Sequence, residues 1–183
     1  EGRKPYCIPV GGSCGLGNLG YVVCAGEILA QAADEKMKFE AVVVATGSGG
    51  TQGGLVAGMR LLDGAPVIGI AVEGDRREQE ALAARQAAES LRLLGRANID
   101  LSGQVNVMDD FVGPGYARPT DTMREALGLA ARFEGLVLDP VYTGKAFAGF
   151  LSLARSGRFD KKQSLLFVHT GGTPGLFGYP EAI

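Results

Sequence analysis

Three hydroxyl residues, Thr46, Ser48 and Thr51, are interleaved with three glycines, Gly47, Gly49 and Gly50, in one six-residue stretch. The run before it, Ala41-Val42-Val43-Val44-Ala45, reads as a strand buried on both faces, and Gln52 to Leu62 reads as a helix. A strand, a glycine-rich turn and a helix N-terminus aim several backbone N–H groups and a positive dipole end at one point. The three hydroxyls add donors to the same point. The chemistry expected is anion binding, with a phosphate ester the best fit. No lysine or arginine stands in the stretch, so neutral donors must hold that anion.

Other chemistry-bearing residues are sparser. Tyr116 and Tyr142 each follow a turn at a strand end. There a tyrosine is either core with a satisfied hydroxyl, or a group that stacks on a ring or moves a proton. His169 precedes a glycine turn and reads as a structural histidine. Cys14 has no nameable base beside it and reads as inert. Arg76, Arg77, Glu78 and Glu80 read as a solvated helix face. Gly15-Leu16-Gly17-Asn18-Leu19-Gly20 fits the letter of a dinucleotide fingerprint, yet Ala45 ends the next strand where an acidic ribose ligand belongs. A Walker sequence is excluded because no Gly-Lys-Ser/Thr occurs.

Positioning these groups falls to alternating strands and helices. Pro5–Val10 reads as a short strand, and Asn18–Asp34 as a helix with Leu19, Val22, Val23, Gly26, Leu29, Ala30 and Ala33 on its apolar face. Pro66–Val72 reads as a second buried strand and residues 76–95 as a solvent-facing helix. Further expectations are an extended segment at 105–107, a helix from Pro119 to Phe133, a helix after Gly144 to about Ser156, and a last strand at 164–168. The alternation predicts a doubly wound, mostly parallel α/β sheet, residues 1–183 forming one domain. Ligands of such sheets lie beyond the carboxyl ends of the strands. The glycine-rich turns at 11–17, 46–51, 113–115 and 171–175 should therefore meet in one crevice.

Composition narrows the function classes. Hydrophobic content of 46% with 21% charged residues is that of an ordinary globule. A net charge of −2 leaves no footprint for nucleic acid or anionic membrane. No apolar run nears the roughly 18 residues of a membrane span. The single histidine and three cysteines show no metal-ligand spacing, and reduced thiols fit a cytoplasmic setting. The chain opens at Glu1 and runs at once into an expected strand, which reads as a piece entered midway.

Six ordered motifs then carry a resemblance across essentially all 183 residues: Ile8–Ser13, Gly17–Tyr21, Ala45–Gly54, Gly113–Tyr116, Asp139–Lys145 and His169–Gly172. The chain resembles the C-terminal part of the D-cysteine desulfhydrase and 1-aminocyclopropane-1-carboxylate deaminase family, pyridoxal 5'-phosphate enzymes of the tryptophan synthase β-like fold. The resemblance implies that the turn 46–51 holds the cofactor phosphate. It implies also that Tyr116 and Tyr142 are active-site tyrosines, Thr170 meets the pyridine nitrogen and Thr143 lines the same site. Deaminases of the family look like Tyr-Glu and His-Leu-Gly-Gly at the last two motifs. This chain has Tyr142-Thr143 and His169-Thr170, the desulfhydrase-like pattern. A threonine hydroxyl there leaves a weaker electron sink than an acid would, which suits α,β-elimination.

The activity so implied is elimination on a small amino acid such as D-cysteine, releasing sulfide, ammonia and pyruvate. L-Cysteate, with sulfite leaving, and 1-aminocyclopropane-1-carboxylate are the alternative substrates. The family's lysine that holds the cofactor covalently belongs to an N-terminal region outside this sequence, and Lys145 does not match its motif and reads as structural. A non-catalytic piece needing a separate N-terminal fragment is therefore also open. A homodimer is expected at full length.

Overall fold

The computed structural model describes residues 2–182. Helix α1 (Leu19–Asp34) leads to β1 (Phe39–Thr46), α2 (Gly50–Leu61), β2 (Val67–Ala71), α3 (Arg76–Leu93) and β3 (Val105–Met108). Helices α4 (Asp121–Leu129) and α5 (Thr143–Arg155) then precede β4 (Ser164–Phe167), with a π-turn at Ala130–Glu134 and 3-10 turns near both ends. The four strands are parallel, in the order β3-β2-β1-β4. The expected doubly wound α/β architecture is present.

Strand β1 is central and buried on both faces because each face meets a helix. Val42 and Val44 point to a core shared with Leu55, Val56 and Met59 of α2, while Ala41, Val43 and Ala45 share the opposite core with Ala146 and Leu153 of α5. Helices α1 and α3 flank α2, and α4 packs outside α5. Gly69 of β2 lets Gln52 cross the sheet and donate to the Asn106 carbonyl at 2.9 Å. A Cβ on Gly69 would lie 2.2 Å from the Gln52 oxygen. The chain winds outward from β1 through β2 to β3, then returns to place β4 on the other side of β1. That reversal opens a crevice at the carboxyl ends of β1 and β4.

Several expectations need correction. Residues 5–10 form no strand; they are exposed and end in a 3-10 turn at Val10–Gly12, since no sheet edge among the described residues pairs with them. Helix α3 is not simply solvent-facing: Gln79, Ala83, Gln86, Ala87, Ser90 and Leu91 are buried against α2. On α1 the buried positions are Val22, Ala25 and Ala32, whereas Val23 is exposed. Pro119 lies outside α4, and Thr120 caps it by accepting from the Met123 N–H at 3.2 Å.

Candidate active site

The anion cup is built where β1 ends. Thr46 closes the strand, and Gly49 caps α2 in the left-handed region at φ 76° with no side chain occupying the helix end. The first N–H groups of α2 therefore face the cup free of a capping side chain. A second constraint keeps Gly49 bare: a Cβ would lie 2.9 Å from Leu82 Cγ of α3. Gly50 does not line the cavity at this turn, and a Cβ there would lie 2.4 Å from Ser13 Oγ. Thr46, Gly47, Ser48, Gly49 and Thr51 line a small cavity of about 90 Å³, together with Tyr142 and Thr170.

Thr46 Oγ1 is buried there without a hydrogen-bond partner. A buried orphan donor beside open helix N–H groups is what a phosphate ester would satisfy. The residues present thus fit the phosphate of pyridoxal phosphate.

A wider cleft of about 1080 Å³ opens beside the cup, sharing Gly47, Ser48, Thr51, Tyr142 and Thr170 with it. Tyr116 and Tyr142 stand at its wall with their hydroxyls hydrogen-bonded to each other. Their rings meet edge to face at 5.9 Å between centroids. The hydrogen bond to Tyr116 holds the Tyr142 phenol well above the ordinary tyrosine range; burial adds to this, as do the nearby Tyr116, Glu73 and Asp139. Tyr142 therefore keeps its phenolic proton at neutral pH.

Asp139 fixes the position of Tyr142. Its buried carboxylate accepts from the N–H groups of Val141, Tyr142 and Thr143, each at 2.8 Å, and from Thr143 Oγ1 at 2.7 Å. Thr143 is wholly buried, and its hydroxyl also accepts from the Asp139 N–H at 2.9 Å. Thr143 is thus absent from the lining of either cavity and supports the turn from behind. His169 is held at both ring nitrogens, with Nε2 3.3 Å from the Val137 carbonyl and Nδ1 accepting from the Gly171 N–H at 3.0 Å.

The structure adds residues that sequence reasoning missed. Ser13 Oγ lies 2.6 Å from Ser48 Oγ, so the first glycine loop leans on the cup. Gln86 of α3 accepts from Asn18 Nδ2 at 2.7 Å and donates to the Ser13 carbonyl at 3.3 Å, bracing that loop from below. Gln79 and Gln86 share a stripe with Ala83 and Ala87, a spacing visible in the sequence yet hidden by the charges around it. Glu78, expected as plain solvated surface, completes a capping box with Asp75 and borders the cleft.

Residues 1–171 match the model of the family described as pyridoxal-phosphate dependent enzyme. The chain belongs to the pyridoxal-phosphate dependent enzymes. It is 43% identical over 180 residues to a D-cysteine desulfhydrase of Yersinia pestis (strain Pestoides F), covering 98% of this chain and 54% of that protein. A D-cysteine desulfhydrase of Salmonella newport (strain SL254) is 42% identical over 182 residues, with the same coverage. A crystal structure described as an ACC deaminase homologue superposes with a TM-score of 0.86 at 38% identity, covering 98% of this chain and 53% of that one. The chain thus spans about half the length of the relatives it matches. Among the described residues, no helix is long and apolar enough to cross a membrane.

Proposed function

We propose that this chain supplies the phosphate cup, the ring-facing wall and the tyrosine pair of a pyridoxal-phosphate enzyme that eliminates the β-substituent of a small amino acid. D-Cysteine is the substrate of choice. With uptake of one water it gives hydrogen sulfide, ammonia and pyruvate. The single observation that carries this reading is the arrangement of Tyr142 and Thr170, which border both the cup and the wide cleft. A cofactor anchored by its phosphate at 46–51 would extend toward these two residues.

When bound, pyridoxal phosphate supplies an electron-withdrawing ring that acidifies the α-proton of an amino acid. The remaining work falls to side chains. Thr46, Ser48, Thr51 and the first N–H groups of α2 hold the phosphate. The Thr170 hydroxyl offers a neutral partner to a ring nitrogen, so the ring gains no full positive charge from the protein. That favours loss of a β-leaving group over prolonged storage of charge. The Tyr142 phenol, hydrogen-bonded to Tyr116 at the cleft wall, would exchange a proton with a substrate bound there.

The test uses the full-length protein with pyridoxal phosphate and three substrates in parallel. Release of sulfide and pyruvate from D-cysteine is the expected result. Sulfite from L-cysteate instead would reassign the leaving group. An α-keto acid from 1-aminocyclopropane-1-carboxylate alone would overturn the elimination reading.

A further inference from the structure

Among the described residues Lys145 is the largest of the fully buried side chains, and nothing in the reading above uses it. It lies in the first turn of α5, three residues after Tyr142. Its ammonium donates to the Val112 carbonyl at 2.7 Å and to the Gly115 carbonyl at 2.9 Å. Among the described residues no carboxylate forms an ion pair with it. Burial alone pushes its proton affinity down. An unpaired buried ammonium is costly, and a methionine of similar shape would fill the same space more cheaply. The charge must therefore serve the two carbonyls.

Those carbonyls belong to a segment with little support of its own. Residues 109–118 hold Gly113 at φ 67°, Gly115 at φ 149° and Ala117 at φ 56°. The main-chain bonds within it, Val112 N–H to Asp109 and Arg118 N–H to Gly115, are both long at 3.3 Å. Yet this segment must carry Tyr116 to Tyr142. We infer that Lys145 is a positioning residue whose ammonium ties the main chain at 112 and 115 to α5, so that Tyr116 meets Tyr142. Both tyrosines then hang from one helix end: Tyr142 through the chain and Asp139, Tyr116 through Lys145. The clamp follows from the contacts alone; its consequence for turnover rests on the proposed function of the tyrosine pair.

The experiment reads the Tyr142 ring directly, in the full-length protein without cofactor at pH 7.5. Tyrosine labelled with ¹³C at Cζ reports whether the phenol is hydrogen-bonded. Tyr116→Phe marks the Cζ position of an unpaired Tyr142. Lys145→Met should move the Tyr142 signal to that same position. Leu153→Ala, a cavity in the same helix, should leave it in place. If Lys145→Met leaves the signal unmoved, or if both variants move it alike, the inference is overturned. Should Lys145→Met not fold, Lys145→Gln replaces it, an uncharged side chain too short to bond both carbonyls as Lys145 does. An unmoved Tyr142 signal in Lys145→Gln would equally overturn the clamp.

Turnover separates this from the functional reading. Lys145→Met should lower kcat for D-cysteine by about a hundredfold or more, the low end of what a misplaced proton-transfer group costs, while KM changes little. A shifted Tyr142 signal with undiminished kcat would uphold the clamp and remove the tyrosines from the proposed mechanism.

Discussion

Ser13 and Ser48, 35 residues apart in sequence, share a hydrogen bond of 2.6 Å that ties the first glycine loop to the anion cup. Thr46, at the floor of that cup, has no such partner. The contrast separates a hydroxyl that shapes the cup from one whose buried oxygen is unpaired, and the two should respond oppositely to substitution.

Thr46→Val should raise the stability of the cofactor-free protein, by about 1 kcal/mol, because it removes a buried polar atom with no partner. The same change should weaken pyridoxal phosphate by about five- to tenfold, through loss of one donor. Ser13→Ala should weaken the cofactor too, but with no gain in stability. Urea unfolding of the apoprotein and absorbance titration with the cofactor supply both numbers. A Thr46→Val protein that binds pyridoxal phosphate normally would remove Thr46 from the site.

Glycines in two helices should likewise diverge. A Cβ on Gly58 of α2 would lie 2.5 Å from Ala25 Cβ and 2.9 Å from the Val22 carbonyl of α1. Gly128 of α4 has nothing within 4 Å of the same position. Alanine gains about 1 kcal/mol over glycine in a helix interior. Gly128→Ala should therefore stabilise by up to about that amount. Gly58→Ala must force two helices apart, and overpacking of about 1–3 kcal/mol should outweigh the propensity gain. Thermal or urea unfolding of both variants decides this, and equal stabilisation of the two would refute the close α1–α2 packing.

Thiol reactivity offers a third check. Burial, and then the nearby Glu27 carboxylate, push the Cys24 thiol above its ordinary range. Its thiolate fraction at neutral pH is correspondingly small, and the thiolate is the reacting species. Cys7 is exposed. A disulfide reagent at pH 7.5 should label Cys7 first and Cys24 last, and the Cys24 rate should keep rising as pH increases beyond 8.5. Mass mapping of partially labelled protein reads the order, which equal rates at the two thiols would contradict.

The parallel sheet was legible in the sequence because 41–45 and 66–72 are unbroken apolar runs, which only a strand covered on both faces requires. The cup was legible for the same reason, since glycines and hydroxyls interrupt such a run at its carboxyl end. What the sequence hid is pairing at a distance. Residues 5–10 have strand composition but no neighbour to bond, and composition carries no information about neighbours. Gln79 and Gln86 read as surface because their helix is charged, although their alanine companions place them inward. The resemblance drew Thr143 and Thr170 together, yet only Thr170 borders the cleft. Thr143 is turned inward by Asp139, and the Asp-Pro turn that causes this is a local signal of the kind that sequence alone can offer.

Asp139 itself gives the last prediction. Its carboxylate receives four donors in a buried turn, three of them backbone N–H groups at the start of α5. A negative charge at that place also meets the positive end of the helix. Gly172 packs so closely on it that a Cβ would lie 2.6 Å from Asp139 Oδ1, so the same carboxylate seats the loop bearing Thr170. Asp139→Asn keeps the shape but turns an NH₂ group toward N–H donors and removes the charge. The expected loss is about 2–4 kcal/mol of stability, because charge-assisted bonds are broken and buried donors are left unmade. Asp100 makes a comparable bond in the open, accepting from the Ser102 N–H at 2.9 Å. Asp100→Asn should barely move the urea midpoint, since water replaces what the side chain loses. The two midpoints, with cofactor affinity measured on both variants, separate a buried keystone from a solvated turn. If Asp139→Asn unfolds at the wild-type midpoint and binds pyridoxal phosphate equally well, Asp139 neither holds Tyr142 nor seats Thr170.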